Sequence, residues 1–194
     1  MNDVVRDTYR WSEALPRAIR QNRRDAHNRY LQLATLRRDG TPAVRTLVFR
    51  EFCDLSLELR MVTDRRSAKV GEIEACPSGE ISWYLTYTRE QFRLRGDLRL
   101  EGAEGASQHA RRKLWNSLSA KAREQFYWPD PGQPLDRPSP RVEAKADGGP
   151  PDTFLLLALA VAEVDHLILR GDPQTRMISR CDEHGTWLSE PVNP

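Results

Sequence analysis

The segment TDRRSAKV (residues 63–70) gathers Arg65, Arg66, Ser67 and Lys69 at the point where a strand-like stretch gives way to a helical one. Free backbone N–H groups point outward at a helix N-terminus, and the helix dipole favours negative charge there. A hydroxyl and an ammonium added to that end make a phosphate seat. Basic residues beside a helix start are also common as solvated charge, so the rest of the chain must decide. Arg45 adds weight. It lies mid-strand in RTLVFREF, with Leu47 and Phe49 on its side by parity, and an arginine among apolar neighbours must be paired or hydrogen-bonded. Arg50 falls on the opposite side by strict alternation. Both arginines reach one ligand only if a bulge or the strand end re-aims one of them. Gln91 lies just past a turn, and its amide can both donate to and accept from a heterocycle.

The elements that must position these residues follow from periodicity. Trp11, Leu15 and Ile19 sit at helical spacing within residues 8–28, with a bend expected near Pro16. Asp39-Gly40 separates two β-like arms as a hairpin signal. Leu55, Leu57, Leu59 and Met61 alternate strictly, which predicts a strand over 55–63 with one buried side. Residues 67–76 read as a short helix capped by Ser67 or Asp64 and ended by Pro77 and Gly79. A long hairpin turning near 88–90 follows, then a helical segment over 106–127 and an irregular proline-rich loop over 128–152. Strands at 153–163 and 165–170 and a last pair around a turn at 183–185 close the chain. Hairpins dominate, with no strand–helix–strand alternation. The expectation is one mainly β domain over 1–194, an antiparallel Greek-key barrel of split type with flanking helices.

Composition narrows the function. Thirty basic residues face 28 acidic ones in 194, a net charge of +2, so no global basic field argues for nucleic acid. In SWYLTY, Trp83, Leu85 and Tyr87 share a parity and read as core rather than as a base-stacking face. A mean hydropathy of −0.68 with 39% hydrophobic residues describes a polar globular chain whose apolar residues cluster in runs. The run 153–164 is too short to cross a bilayer and contains Glu163. Three cysteines without a C-x-x-C pair, and no signal peptide, read as a reduced cytoplasmic protein without a metal site.

Taken in order, Arg45 with Arg50, a strand ending in Val62-Thr63, Ser67-x-Lys69 opening a helix, a Trp83-Tyr84 strand, and Gln91 with Gly96 resemble the pyridoxamine 5′-phosphate oxidase family of FMN-binding split barrels. The resemblance covers about residues 28–102. The closing segment LRGDPQTRMISRCDEHGTWLSEPVNP is similar to that family's C-terminus, where an R-x-H-x-R stretch precedes a turn, a Trp and a terminal proline. Residues 103–152 match poorly. The resemblance implies that Arg45, Thr46, Leu47, Val48, Phe49 and Arg50 line FMN, that Val62 and Thr63 touch it, and that Ser67 and Lys69 hold its phosphate. It further implies that Gln91 meets the isoalloxazine, Arg180 reaches FMN and Arg176 meets the substrate. It also implies a homodimer with FMN at the interface, each site built from both chains, which would ease the parity conflict of Arg45 and Arg50.

The departures bear on substrate. Ala68 stands where a second basic residue is expected, Arg50 replaces a Lys, Ile178 replaces the His of R-x-H-x-R, and Arg170 falls where a Trp is expected. Losing that His removes a polar partner for a pyridoxal-type substrate. The function implied is an FMN-dependent oxidoreductase taking a hydride from a small phosphorylated or carboxylated donor. The alternative is a split barrel that holds flavin, or haem on His166 or His184, without turnover.

Overall fold

The computed structural model describes residues 10–53, 58–102, 108–134 and 148–194. Helix α1 (Trp11–Gln21) leads through a 3₁₀ turn (Ala26–Arg29) into strands β1 (Tyr30–Leu36), β2 (Pro42–Val48), β3 (Glu51–Phe52) and β4 (Leu59–Asp64). Helix α2 (Ala68–Ala75) precedes β5 (Ser78–Leu85) and β6 (Glu90–Glu101). Helices α3 (Gln108–Ser117) and α4 (Ala120–Glu124) and a 3₁₀ turn (Gln125–Tyr127) lead on to β7 (Phe154–Ile168), β8 (Thr175–Cys181) and β9 (Trp187–Val192).

All pairings are antiparallel, in the order β2-β1-β5-β6-β7-β4-β3. The curl of this sheet brings β2 back near β4 without a ladder joining them, so the barrel is open along one seam. β7 carries two partners on one edge. Its first half pairs with β4 and its second half with β8, which in turn pairs with β9.

Alternation decides what lies inside. Leu31 and Leu33 on β1, Leu59 and Met61 on β4, Ile81, Trp83 and Leu85 on β5, and Phe92 and Leu94 on β6 fill the barrel, and α1 adds Trp11 and Leu15. A second cluster on the outside of β7 and β4 joins Trp115, Phe126, Phe154 and Leu156, with Val62 against it. Edge-on ring contacts bind Trp115, Phe126 and Phe154 together.

Several boundaries differ from the expectations of periodicity. The strands expected at 153–163 and 165–170 are one strand, β7. A register shift at Arg95/Gly96 lets β6 follow it throughout. Gly96 permits that shift, because a Cβ there would collide with the Ala160 carbonyl. The helix expected over 106–127 is broken at residues 118–119, where the Ser119 hydroxyl caps α4 by accepting from the Ala122 N–H at 3.2 Å. Residues 106 and 107, like 8 and 9, 54–57 and 135–147, lie outside the described residues. The strand expected over 55–63 is therefore seen from Leu59 onward. The helix expected over 8–28 ends at Gln21 with Pro16 inside it. Tyr87 is exposed rather than core, because β5 ends at Leu85 and the turn that follows abandons the alternation.

Inside the barrel, the His166 ring stacks on Phe92 at 4.0 Å and its Nε2 donates to Glu90 at 2.8 Å. Burial by itself would raise the Glu90 carboxyl, but hydrogen bonds from His166 and Thr88 and the charge of Arg17 outweigh it and hold it below the usual carboxylate range. A depressed carboxyl stabilises the fold above the unfolded value, and that stabilisation is lost as pH falls through the folded value. Glu90→Gln is therefore expected to lower stability near neutral pH by about 2 kcal/mol, the loss of hydrogen bonds to a charged group, and to flatten the acid limb. Urea unfolding as a function of pH measures both.

Candidate functional site

At the open seam, the C-terminal end of β2, the strand β4 and the start of α2 surround a cleft of about 430 Å³, a volume suited to a cofactor-sized ligand. Thr46, Val48 and Arg50 form one side, and Val62 and Thr63 the next. Ser67 and Lys69 close one end, and the segment from Gln125 to Pro131 stands opposite. Arg50 reaches the cleft because β2 has ended at Val48. Its backbone N–H donates to the Arg60 carbonyl at 2.9 Å, so the chain is already turning toward β3.

The chemistry at the closed end is that of an anion seat. Lys69 Nζ donates to Ser67 Oγ at 2.6 Å and to Thr63 Oγ1 at 3.1 Å. Among the described residues no carboxylate lies within ion-pair distance of it. Burial, with Arg45 adding like charge nearby, pushes the Lys69 ammonium below the usual lysine value. Ser67 has the backbone of an N-cap, but its side chain makes no capping bond. Its hydroxyl serves Lys69 instead, which leaves the first N–H groups of α2 without a side-chain cap. Arg50 Nε is buried without a hydrogen-bond partner in the described residues. Burial, with the charge of Arg29 beside it, draws that guanidinium below the usual arginine value. A phosphate fits this donor set, because it would supply the missing negative charge to Lys69 and acceptors to the helix end.

Three basic residues near the seat are engaged elsewhere. Arg45 lies on the barrel side of β2, opposite Leu33. Its guanidinium meets Glu72 of α2 at 2.5 Å and donates to Thr35 Oγ1, so it ties α2 to the barrel mouth and does not line the cleft. Arg65 donates to the Asp152 carbonyl at 2.9 Å. Arg66 is bound to Asp64, Asp130 and the carbonyl of Trp128. Phe49 is a core residue tilted against Trp83 at 5.0 Å between ring centroids, while Leu47 touches both the core and the cleft.

Gln91, Arg176 and Arg180 stand apart from the cleft within one chain. All three lie on the outer face of the sheet, with Gln91 opposite Tyr84 and Leu167, Arg176 opposite Leu167, and Arg180 opposite Glu163. Three strand steps, roughly 14 Å, separate β2 from β6. Val62 pairs with Leu156 and Arg180 with Glu163, about 23 Å further along β7. Arg176 is gripped by Asp165 through Nε at 2.9 Å and Nη2 at 2.7 Å, and Arg93 shares the same carboxylate. Arg180 pairs with Glu163 and Glu190. Of the two histidines considered for haem, His166 is inside the barrel on Glu90, and His184 lies in an exposed turn.

The wall from Gln125 to Pro131 has no counterpart in the sequence expectations, which placed an irregular loop from residue 128. Its composition, an aromatic run into W-P-D-P, was the available signal.

A profile described as "Pyridoxamine 5'-phosphate oxidase, FMN-binding domain" matches residues 8–102. The chain is 35% identical over 191 residues to the "Pyridoxine/pyridoxamine 5'-phosphate oxidase 2" of Arabidopsis thaliana, covering 95% of this chain and 96% of that one. The chain belongs to the pyridoxamine 5′-phosphate oxidase family. Its cofactor is FMN. A solved structure from Nostoc punctiforme, titled a pyridoxamine 5′-phosphate oxidase-related, FMN binding protein, superposes with a TM-score of 0.85 at 43% identity and covers 96% of this chain and 98% of its own. PhzG from Burkholderia lata shares the fold at 20% identity, with a TM-score of 0.79 over 94% of this chain and 91% of its own. These neighbours identify the open-seamed sheet as the FMN-binding split barrel of the family.

For this family member, Lys69→Met is expected to raise the FMN Kd between about tenfold and a hundredfold, the loss of a charged hydrogen bond. Binding of riboflavin, which has no phosphate, should change little. In the unsubstituted protein FMN affinity should fall as pH rises, beginning below the usual lysine value. Lys69→Met should remove that dependence. Flavin fluorescence titrations at several pH values read all of these.

Proposed function

We propose that the protein is an FMN-dependent oxidoreductase acting on a small anionic donor, and that it works as a homodimer with each cofactor at the subunit interface. The cleft carries this reading: Lys69, Ser67 and Thr63 line it together with Arg50, whose buried Nε has no partner among the described residues. FMN held there would supply two-electron chemistry, with two electrons and a proton leaving the donor as a hydride equivalent. In this reading Ser67, Lys69 and the α2 N-terminus hold the phosphate, Thr46 to Arg50 with Val62 and Thr63 flank the remainder, and Arg45 acts from beneath through its charge and its hold on α2.

The dimer is supported by the outer face of the sheet. Val44 on β2 and Tyr84 on β5 are 66% and 44% exposed there, and Tyr30 on β1, four residues along from the Ala34 that faces Val44, is exposed too. With Gln32, Thr46 and Ser82 between them they form a mixed stripe of apolar and polar side chains on the strands between the cleft and the remote trio Gln91, Arg176 and Arg180. A second copy seated on this stripe would carry its own trio toward the first copy's cleft. Arg176 would then present its remaining Nη1 to an anionic substrate, held in aim by the two-point grip of Asp165. Ile178 shares this face with Arg176 and Arg180, so the substrate pocket would be more apolar than one containing the expected His. A 5′-phosphorylated pyridoxine-type compound is the first donor to test, because the Arabidopsis relative bears that name.

The purified protein should be yellow and should release FMN on denaturation. Anaerobic addition of an oxidisable donor should bleach it, and air should restore the colour. A yellow protein that no donor bleaches would be a flavin-holding module. A colourless monomer that ignores added FMN would overturn the proposal. Val44→Asp should give a monomer with much weakened FMN retention but near-normal urea stability of the cofactor-free chain, read by size-exclusion chromatography with absorbance at the flavin band.

A further inference from the structure

Arg66 sits next to Ser67 in the chain, yet it spends its donors on holding protein rather than anion. Its Nε and backbone N–H bond Asp64 Oδ1 at 3.0 and 2.8 Å, and Nη2 bonds Asp64 Oδ2 at 2.7 Å. Nη1 reaches the Trp128 carbonyl at 2.6 Å and Asp130 Oδ1 at 3.1 Å. The hydrogen bond to Asp64, and then the charges of Asp64 and Asp130, hold this guanidinium protonated above the usual arginine value. The Thr153 hydroxyl fixes the Phe126 carbonyl at 2.8 Å. Phe126 itself is buried in the outer cluster, so it anchors the segment. Trp128, two residues on, is 49% exposed and lines the cleft together with Pro129 and Pro131.

A large ring left half-exposed, on a backbone clamped at the residue's own carbonyl, serves no core. Two prolines after it restrict the backbone further. Such a ring is preorganised to meet a flat partner.

We propose that Trp128 is the ring-facing wall of the cofactor cleft and that Arg66 is the positioning residue that aims it. The cleft then selects a ligand carrying a planar ring together with a phosphate, rather than a phosphate alone. This rests on the FMN reading above. The clamp also explains how one turn coordinates both ends of the ligand. Residue 66 sets the wall while residue 67 sets the seat, so the distance between them is fixed by adjacent positions in the chain.

The test compares holoprotein variants by FMN release on dilution, followed by flavin fluorescence, and by competition with inorganic phosphate. Trp128→Ala and Arg66→Met should each raise the FMN Kd by about tenfold, while the inhibition constant of inorganic phosphate stays within about twofold. Trp128→Phe should keep FMN affinity within about threefold, since a smaller ring still stacks. Tryptophan emission should be quenched by FMN in the unsubstituted protein and markedly less so in Trp128→Phe. Unchanged FMN affinity in Trp128→Ala would overturn the proposal, and so would a change confined to the KM of a donor. Equal loss of FMN and phosphate in Trp128→Ala would overturn it too, by showing that the segment merely supports the seat. Failure of the unsubstituted protein to bind FMN would overturn the cofactor assignment itself, and that result is read before any variant is made.

Discussion

An ammonium withdrawn from water with only hydroxyl partners is the constraint on which this structure turns. Lys69 is satisfied geometrically by Ser67 and Thr63, but its charge is not balanced by a carboxylate at contact distance among the described residues. Desolvating a cation is costly unless an anion meets it. The fold sustains that cost by surrounding the seat with fixed elements. β4 is locked on β7 across six register pairs. α2 is pinned to the barrel mouth by Glu72, which takes hydrogen bonds from Thr35 and Arg45. The Asp64–Arg66 turn is bolted to the outer aromatic cluster. In the proposed reading the seat would be prepared before its ligand arrives, so little ordering would be left to oppose binding.

The same economy limits how many guanidinium groups of an arginine-rich chain are left to meet an anion. Most guanidinium groups near functional regions are committed: Arg45 to Glu72, Arg66 to Asp64 and Asp130, Arg176 and Arg93 to Asp165, Arg180 to Glu163 and Glu190. Each pairing aims a fork or fixes a turn. Among the described residues, what the pairings leave at the cleft is one half-buried lysine, one incompletely bonded arginine and a helix end, a short list that suits one phosphate.

β7 gives the architecture its division of labour. Its first half closes the barrel against β4 and supports the seat. Its second half carries β8, and with it Arg176 and Arg180, on the outer face. The glycine that lets β6 bend along this long strand, Gly96, belongs to the same short motif as Gln91. One motif thus places a polar side chain on the outer face and relieves the backbone that follows it.

Much of this was legible in the residues themselves. Alternation in 81–85 and 90–94 and the helical spacing of Trp11 and Leu15 fix which faces are buried, because burial of apolar side chains follows the local period. Ser67 and Lys69 before a helical stretch were legible as a candidate anion seat for the same local reason, and the structure brings both to the cleft. Where the period is interrupted, sequence reading failed: a bulge disguised β7 as two strands, and the capped break at Ser119 was hidden inside one apolar helical pattern. Nor could the sequence tell Arg50 from Arg45 and Arg66. Arg50 and Arg66 stand at a strand end and in a turn, and Arg45 lies mid-strand among apolar neighbours, so each is a candidate ligand for an anion by local pattern. Which one faces the cleft depends on partners far away in the chain, Glu72 for Arg45 and the carbonyl of Trp128 for Arg66. Local pattern determines which residues can be buried or can bind an anion. Only the tertiary arrangement decides which charges are already neutralised, because Coulombic pairing acts across space and not along the chain.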